Sequence, residues 1–378
     1  MKTIVHIHTD KKFLDFHQNY LLPDKYNNII VYFGYEDPEQ FSGIKNFHHF
    51  HHNLKDLRKT IALCENADIL ILHKLDFVKA YIANRVKKDI LIIWRFFGQE
   101  LYSRMSDRVY SEKTKKNLKF NSPVFALKKL KKAIVNNFKI FLKYRAFAGK
   151  ERKGVYQKID YFLGLSGEEY RLLKSRFPEI PAFLQHPYYK EDFIDFSSVN
   201  SEAKIPNVII GNNRSKYNNH LDILDLISET KASPGIGFTL LFNYGSKNTY
   251  TQEVIRRSED IAGLKVIHKF LPLEELMKLY MFTSAIVING YRQMAMGNIL
   301  FALRSKTKLY LHPRNPVYHD LVQEGFHIYN VEQLPRDLEE GNIKLPEGLG
   351  TENYLNYDRI CEKYSVRNFD EFLSGKLK

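Results

Sequence analysis

Three loops in the second half of the sequence combine glycine with side chains that bind phosphate groups. They are IIGNNRSKYNNH (209–220), FNYGSKNTYTQEV (242–254) and VINGYRQMAMGNIL (287–300). Each follows an apolar stretch and precedes a helical pattern, so backbone N–H groups and the helix dipole favour an anion there. Lys216 and Arg292 add positive charge to two of the loops. Together the loops predict a nucleotide-diphosphate site, although three ordinary structural turns would leave the same pattern.

Several common binding motifs are absent from these sequences. The first loop contains neither GxGxxG nor GxxxxGK[ST], so it is neither a dinucleotide fingerprint nor a P-loop. No DxD follows a predicted strand, so we expect basic side chains and backbone amides to neutralise a leaving diphosphate. The HHFHH run (48–52) lacks an HExxH frame, which favours a polar strand edge or loop over a metal site. We therefore expect no metal and no other cofactor.

The block WRFFGQELY (94–102) carries the candidate catalytic base. It follows an apolar stretch and turns at Gly98, which places Glu100 at the carboxyl end of a predicted strand. A carboxylate in that position can accept a proton from an acceptor hydroxyl. The alternative is that Glu100 is a first-turn acid that complements a helix dipole.

Most of the positive charge of the chain lies in one segment. The formal net charge is +14, and residues 111–153 hold fourteen Lys and Arg against two Glu, a net charge of +12. Apolar residues mix with lysine there at roughly helical spacing, which is typical of helices in a membrane interface. The lysines expected to contact anionic lipid are Lys128, Lys129, Lys131 and Lys132. A solvated helical excursion is the alternative, whereas the excess of lysine over arginine argues against nucleic acid.

The spacing of apolar residues predicts two α/β domains that position these candidate sites. Predicted strands in the first half are 3–9, 28–34, 68–74, 89–98, 159–166 and 182–187, and in the second half 207–210, 238–243, 265–270, 284–289, 308–313 and 327–330. Helical patterns separate the strands, which is typical of parallel sheets covered on both faces. We predict domains at 1–195 and 205–350, a polar linker at 192–206 and a helical tail at 351–378. Ligands should bind in a cleft between two Rossmann-like halves, outside the carboxyl ends of the strands.

Bulk composition narrows the class of protein. The chain has 378 residues, of which 44% are hydrophobic and 14% aromatic, enough for two domains with large cores. Its two cysteines form neither a disulfide framework nor a metal-binding spacing, which favours a reducing compartment. The start, MKTIVHIHTD, is too short and polar for a signal peptide, and no run reaches the roughly 18 apolar residues of a membrane span. The net charge predicts a polyanionic partner: nucleic acid, an anionic membrane or a phosphorylated ligand.

Several of these motifs resemble one known family, the bacterial TDP-4-acetamido-4,6-dideoxygalactose (TDP-Fuc4NAc) transferases, which include the lipid-II Fuc4NAc transferase of enterobacterial common antigen synthesis. The similarity covers most of the chain at low identity. WRFFGQELY resembles the block W-x-x-W-G-x-D-L-Y, and IIGNNRSKYNNH resembles V-G-N-x-x-x-R-S-N-x-H. YRQMAMGN resembles A-R-Q-Q-G-I-G-T, and NPVYHDL resembles N-P-F-W-Q-D-M. Glu100 stands where the family has aspartate, and Arg95 where it has histidine.

The resemblance implies a GT-B glycosyltransferase that moves a Fuc4NAc-like deoxyamino sugar from a TDP-sugar to a polyprenyl-diphosphate-linked glycan in cell-surface polysaccharide synthesis. It implies a cytoplasmic enzyme, peripheral on the inner face of the cell membrane. The donor-binding residues it implies are Gly211, Asn212, Lys216, Asn218, Gly245, Tyr250, Arg292, Gln293 and Gly297. Asn298, at the helix start of the third loop, is a further donor-binding candidate from the loop pattern itself. For the acceptor it implies His6, Trp94, Arg95 and Tyr102, with Glu100 and, in reserve, His17 as catalytic base.

Two alternatives remain open from the sequence. A GT-B glycosyltransferase with a UDP- or GDP-sugar donor fits the same loops. A basic membrane-scaffold or nucleic-acid-binding protein without catalysis fits the charge, and it would bind RNA or DNA but no nucleotide sugar.

Overall fold

The structure, a computed structural model, describes residues 1–11, 14, 24–87, 89–105, 107–188 and 196–377. The chain forms two compact units. The first unit comprises Met1–Arg104, Leu127–Tyr188 and Tyr364–Lys378, and the second comprises Met105–Ala126 and Tyr189–Lys363. Each unit contains one parallel β-sheet, as the alternation of strands and helices predicts.

A seven-stranded parallel sheet forms the first unit, in the order β3-β2-β1-β4-β5-β6-β7. Its strands are β1 (Lys2–His8), β2 (Tyr26–Phe33), β3 (Phe47–Phe50), β4 (Ile69–His73), β5 (Leu91–Arg95), β6 (Tyr161–Gly164) and β7 (Ala182–Gln185). The central strands β1 and β4 are almost entirely buried, as expected for parallel strands covered on both faces. The strand order reverses between β1 and β4, and ligands bind open α/β sheets at such a switch point.

Helices follow the strands of the first half, and several of them begin at capping side chains. They are α1 (Leu54–Leu63), α2 (Phe77–Ala83), α3 (Gln99–Tyr102), α4 (Glu112–Asn117), α5 (Pro123–Tyr144), α6 (Ala148–Tyr156) and α7 (Gly167–Arg176). Asn53 caps α1 by accepting a hydrogen bond from the N–H of Asp56, and Asp76 caps α2 by accepting one from the N–H of Lys79. These polar residues therefore fix where the two helices start.

A six-stranded parallel sheet forms the second unit, in the order β10-β9-β8-β11-β12-β13. Its strands are β8 (Ile205–Ile210), β9 (Gly237–Leu241), β10 (Leu264–Ile267), β11 (Thr283–Ile288), β12 (Lys308–Leu311) and β13 (Tyr329–Asn330). The helices of the second half are α8 (His220–Glu229), α9 (Thr249–Glu259), α10 (Leu273–Phe282), α11 (Met296–Arg304), α12 (Pro316–Gln323), α13 (Leu334–Glu339), α14 (Glu347–Lys363) and α15 (Val366–Lys376). The order reverses between β8 and β11, so the loops after these strands lie at the second switch point.

The core of the second unit lies between its sheet and two of these helices. Val208, Leu240 and Val287 from three neighbouring strands are fully buried. Leu224 of α8 and Val254 of α9 belong to the same cluster. Burial of these side chains holds the starts of both helices beside the strand ends, where the predicted donor loops begin.

Each strand predicted from the sequence is found, with ends shifted by at most a few residues. The sequence analysis did not place a strand at β3, which pairs with β2 at the edge of the sheet. β3 contains the first half of the HHFHH run, so the interpretation of that run as a strand edge or loop is confirmed. A helix predicted with Phe13, Phe16 and Tyr20 on one face lies outside the described residues.

Two segments belong to a different unit from the one that their position in the chain predicts. The crossing segment, Met105–Ala126, belongs to the second unit, although 1–195 and its excursion 111–153 are predicted as one domain. The predicted tail is also divided, because Tyr364–Lys378 belongs to the first unit. The hydroxyl of Tyr26 donates to Asp370 over 2.6 Å, which attaches α15 to the first sheet. Such long-range pairings leave no periodic signal in a sequence. The predicted linker lies partly outside the described residues and stays a prediction.

Candidate functional site

The loop after β8 brings the backbone of the second unit close to two polar side chains. Gly211 has φ +65°, a conformation that favours glycine. A Cβ at this position would lie 2.9 Å from Nε2 of His220 and 3.5 Å from Cγ of Asn218. Glycine is therefore required here both for the turn and for the close approach.

The loop after β9 packs against the loop after β8. Gly245 has φ +108°, and a Cβ there would lie 3.2 Å from the Cβ of Arg214. Tyr250 at the start of α9 is fully buried. Its hydroxyl accepts a hydrogen bond from the N–H of His220 over 2.9 Å and lies 3.2 Å from Nδ1 of that ring. Burial lowers the pKa of His220 to about 3, so this imidazole is neutral. Tyr250 thus holds the first loop in place.

The loop after β11 is tied to the loop after β8 by two reciprocal hydrogen bonds. Nδ2 of Asn219 donates to the carbonyl of Asn289 over 3.0 Å, and Nδ2 of Asn289 donates to the carbonyl of Asn219 over 3.3 Å. Both side chains are buried. The structure therefore brings together two loops that the sequence separates by about 70 residues.

Two cations lie on these joined loops, each over an aromatic ring. Nζ of Lys216 is 5.1 Å from the ring centre of Tyr110, and Cζ of Arg292 is 4.8 Å from the ring centre of Tyr217. No carboxylate in the described parts of the chain lies within ion-pair distance of Lys216. Burial lowers the pKa of Lys216, because the charged ammonium loses contact with water. An ammonium held in this way is stabilised by an anionic ligand.

Two buried amide oxygens add acceptors to the same loops. Oδ1 of Asn218 and Oδ1 of Asn289 have no hydrogen-bond partner among the described residues, and the two residues are 1% and 3% exposed. Their orientation is fixed, because both Nδ2 groups donate to backbone carbonyls. Buried polar atoms are normally satisfied, so hydroxyl or N–H groups of a ligand, or water, would complete them. Sequence reasoning missed Asn289, whose only signal is a polar residue at a strand end.

The remaining predicted donor residues lie in different surroundings. Asn212 is buried, and its Nδ2 lies 3.4 Å from the hydroxyl of Tyr244. Gln293 is half-buried in the same loop as Arg292, whose Nε donates to its carbonyl. The amide of Asn298 donates to the buried hydroxyl of Tyr280 over 2.9 Å, and its role in donor binding stays a prediction. Gly297 is exposed and has open space where a Cβ would stand, so no close approach requires glycine there.

In the first unit, three buried histidines meet where β1 and β4 end. Nε2 of His6 lies 3.1 Å from Oδ1 of Asn28, whose Nδ2 donates to a backbone carbonyl, so Nε2 carries the proton. Nδ1 of His6 is then an acceptor and lies 3.1 Å from Nε2 of His73, which donates. Burial lowers the pKa of His6 to about 4, which keeps this ring neutral. The predicted acceptor residue His6 therefore orients His73.

The three histidine rings are also the candidate ligands for a metal ion. Ligand nitrogens of His6, His8 and His73 lie within 4.8 Å of one another. However, the rings of His8 and His73 are stacked, with centres 3.9 Å apart and planes only 18° from parallel. A metal lies in the plane of each imidazole that binds it, so one ring would have to rotate before both could bind the same ion. The observed arrangement favours a stacked hydrogen-bonded cluster.

A buried ion pair lies beside the histidines. Nζ of Lys79 donates to Oδ2 of Asp76 over 2.7 Å and to the hydroxyl of Thr9 over 2.6 Å. The Thr9 hydroxyl in turn donates to the same carboxylate oxygen over 2.6 Å. Lys79 is fully buried, and desolvation lowers its pKa. This pair ties the ends of β1 and β4 to α2 and is satisfied without a ligand.

Glu100 bridges two loops at the same edge of the sheet. Its Oε1 accepts hydrogen bonds from the backbone N–H groups of Leu75 and Phe97 and from the indole N–H of Trp94. Its Oε2 is buried and has no partner among the described residues. Desolvation raises the pKa of this carboxyl, which moves it toward the range of a general base at neutral pH. Glu100 thus holds the loops through one oxygen, while the other has no hydrogen-bond partner among the described residues.

Other residues predicted for the acceptor lie in the core. Trp94 is fully buried and packs edge-on against Phe162, so its ring offers no surface to an acceptor. Tyr102 is buried as well, and its hydroxyl donates to Glu169 over 2.7 Å. Both are core residues in this structure, which a sequence block does not reveal. Their role in acceptor binding stays a prediction. Arg95 is half-buried with Cζ 5.3 Å from the ring centre of Phe97, and His17 lies outside the described residues.

Helix α5 carries the predicted membrane lysines. Lys128, Lys129, Lys131 and Lys132 are all exposed on it. Large apolar side chains on the same helix are also exposed, by between 57% and 67% for Leu127, Leu130, Ile134 and Phe138. An exposed apolar stripe of this size is unusual for a surface that only water covers. Within the described part of the chain, no helix is long and apolar enough to span a membrane.

The fold is similar to solved structures of glycosyltransferases. It matches a glycosyltransferase from Rickettsia africae ESF-5 with TM-score 0.66 and 12% sequence identity, over 100% of this chain and 99% of that one. It matches the apo form of the lipopolysaccharide outer core galactosyltransferase WaaB with TM-score 0.63 and 12% identity, over 100% of both chains. It matches Anabaena Alr3699/HepE in complex with UDP-glucose with TM-score 0.65 and 9% identity, over 100% of this chain and 99% of that one. No protein-family model and no curated protein matches the sequence.

Two parallel-sheet α/β units and these neighbours define a GT-B fold built from two Rossmann-like units. The predicted fold class is confirmed. At such low identities the likeness establishes the fold alone, so the TDP-Fuc4NAc transferase family stays a prediction.

Proposed function

We propose that this protein is a glycosyltransferase that uses a nucleotide-sugar donor, and more narrowly that it moves a Fuc4NAc-like deoxyamino sugar from a TDP-sugar to a polyprenyl-diphosphate-linked glycan. The observation that carries the first part is the joined pair of loops after β8 and β11, which combines Gly211, Lys216 and Arg292 at the switch point of a GT-B unit. The sugar and the lipid-linked acceptor rest on the sequence resemblance.

The proposed reaction needs no metal ion. Lys216, Arg292 and backbone N–H groups of the glycine loops neutralise the leaving diphosphate, because preorganised donors stabilise charge where it develops. Glu100 is the proposed base that takes the proton of the acceptor hydroxyl, since its Oε2 is buried without a described partner and its pKa is raised.

A thermal-shift series tests the donor. TDP, UDP, GDP and ADP, followed by their sugar conjugates, are added to the full chain at the same concentration. We expect TDP and a TDP-deoxyamino sugar to raise Tm most, because ligand binding to the native state stabilises it by mass action. A larger rise in Tm with UDP would instead favour a UDP-sugar as the donor. The structural similarity to a protein solved with UDP-glucose supports this second candidate. Binding of RNA or DNA with no shift by any nucleotide would overturn the proposal.

We propose further that the enzyme is peripheral on the cytoplasmic face of the cell membrane, where a lipid-linked acceptor would be reached. The exposed apolar side chains of α5 would enter the headgroup region while its lysines contact anionic lipid, each contributing about 1 kcal/mol near the surface. The combination of exposed apolar and basic residues on one helix supports this assignment.

Liposome sedimentation tests the membrane contact. The wild type should sediment with anionic vesicles and should not bind neutral ones. It should dissociate from anionic vesicles at high salt, because salt screens the electrostatic attraction. Replacement of Lys128, Lys129, Lys131 and Lys132 with Gln should abolish sedimentation and leave nucleotide binding unchanged. The control removes the same charge elsewhere, by Gln at the exposed Lys45, Lys55, Lys231 and Lys265. Equal sedimentation of the two quadruple variants would remove α5 from the membrane contact.

A further inference from the structure

The crossing segment Met105–Ala126 is bonded to the first donor loop of the second unit. The backbone N–H of Ser111 donates to Oδ1 of Asn219 over 2.9 Å, and the Ser111 hydroxyl donates to Asp222 over 2.5 Å. Nζ of Lys113 forms an ion pair with Asp225 at 2.6 Å. The segment is therefore fastened along the start of α8, next to the loop that carries Lys216.

This attachment places one aromatic ring of the segment against the loop after β8. Tyr110 is 3% exposed, and its ring is stacked on that of Tyr217 with centres 5.1 Å apart and planes 11° from parallel. Lys216 lies over the Tyr110 ring, and Arg292 lies over the Tyr217 ring. The two cations that the loops present are thus both in contact with a single pair of stacked tyrosines.

The stack restricts where these cations can be. Lys and Arg side chains lose considerable rotamer freedom when they bind a ligand, and a preformed position removes part of that cost. An aromatic face attracts a cation and holds it without neutralising its charge, unlike a carboxylate. Since no described carboxylate pairs with Lys216, the Tyr110 ring is the group that fixes its ammonium.

We propose that Tyr110, carried by the crossing segment, is a positioning residue that aligns Lys216 and, through Tyr217, Arg292 for the diphosphate of the donor. The inference rests on the proposed function and adds to it a residue from the first half of the chain. It assigns the crossing segment to the donor site.

A double-mutant cycle on the full chain tests the proposal. The affinities of TDP and UDP are measured by calorimetry for Tyr110→Leu, Lys216→Met and the double variant. We expect Tyr110→Leu alone to weaken the better nucleotide by about 5- to 30-fold, the range of a partly desolvated cation–π contact. In the Lys216→Met background the same change should weaken binding less than about twofold, because residues that act through one another are not additive.

Conservative variants separate positioning from folding. Tyr110→Phe keeps the ring and should bind within about twofold of the wild type. Phe120→Leu removes another ring of the crossing segment, 6.1 Å from Tyr110, with no cation over it in the described structure, and should leave affinity unchanged. If Tyr110→Leu does not fold, Tyr217→Leu replaces it in a cycle with Arg292→Ala.

Each outcome decides the proposal. Non-additivity with rescue by Phe supports it. An equal loss from Tyr110→Leu in both backgrounds, or no loss, overturns it while the donor assignment stands. Failure of the wild type to bind any nucleoside diphosphate overturns the proposed function and this inference together.

Discussion

The carboxyl-terminal edges of the two sheets differ in the groups that contact their lysine side chains. At the edge of the first sheet, the fully buried Lys79 is paired with Asp76, and three donors converge on one oxygen of Glu100. At the edge of the second sheet, Lys216 contacts an aromatic ring and no described carboxylate. The buried lysine of the first edge is therefore paired with a carboxylate, whereas Lys216 at the second edge has no carboxylate partner among the described residues.

This difference matches two different chemical tasks. A group that moves a proton needs a preorganised environment that sets its pKa, and burial together with fixed hydrogen bonds supplies that environment at Glu100. A site for a diphosphate needs cations that are held but not neutralised, because an internal carboxylate would compete with the ligand. The comparison therefore favours acid–base chemistry at the first edge and anion binding at the second.

The largest effect is expected from Glu100→Gln, which tests the chemical task of the first edge. Gln keeps an oxygen for the three donors but cannot accept a proton, so turnover should fall by about 10²–10⁴ while nucleotide binding is unchanged. The raised pKa of Glu100 predicts that wild-type turnover is lost as pH falls through a value above the ordinary glutamate range, because the base must be deprotonated. This acidic limb should be absent from the pH profile of the variant. Unchanged turnover with a lowered Tm would make Glu100 a purely structural residue.

A matched pair of lysine variants tests whether the two edges differ in how they hold charge. Lys79→Met removes one partner of a buried ion pair and should lower the free energy of unfolding by about 3–5 kcal/mol. Lys216→Met removes a cation that contacts an aromatic ring and has no described carboxylate partner, so it should lower the free energy of unfolding by only about 0.5–1 kcal/mol. Denaturant unfolding measures both. Equal destabilisation would contradict the contrast.

Arg292→Ala tests anion binding at the second edge. It should weaken nucleoside-diphosphate binding by about 1.5–3 kcal/mol, the contribution of a charge-assisted hydrogen bond. The control is Arg256→Ala, which removes an exposed arginine paired with Glu253 on α9 of the same unit. Calorimetry that shows the same affinity for both variants would remove Arg292 from the site.

The smallest effect is expected from two glycine variants that the sequence does not distinguish. Gly211→Ala forces a side chain onto φ +65° and against His220, so it should cost about 1–3 kcal/mol of stability and weaken nucleotide binding. Gly297→Ala meets open space within α11 and should stabilise the protein by about 0.5–1 kcal/mol. Thermal unfolding compares them. A stable Gly211→Ala variant with normal nucleotide binding would show that the close approach is not needed.

Much of this protein follows from the sequence alone, because the signals are local. Apolar runs separated by helical patterns determine two parallel sheets, and a glycine after a buried strand marks each predicted donor loop. The same locality makes Lys216, Arg292 and Glu100 candidate site residues, since each lies a few residues beyond a strand end. It could not separate Gly211 from Gly297, because both are glycines near a helix start and only their surroundings differ.

Tertiary structure decided the features that depend on contacts between distant residues. The crossing segment is attached to the second unit by hydrogen bonds between Ser111 and residues more than 100 positions away. Only the folded chain shows that Trp94 and Tyr102 are buried in the core and that the amide of Asn298 is bonded to Tyr280. The periodicity of apolar residues predicts whether a side chain is buried. It does not predict which distant residue that side chain contacts. The free energy of such long-range contacts is realised only when the chain is folded, so no local pattern of residues records them.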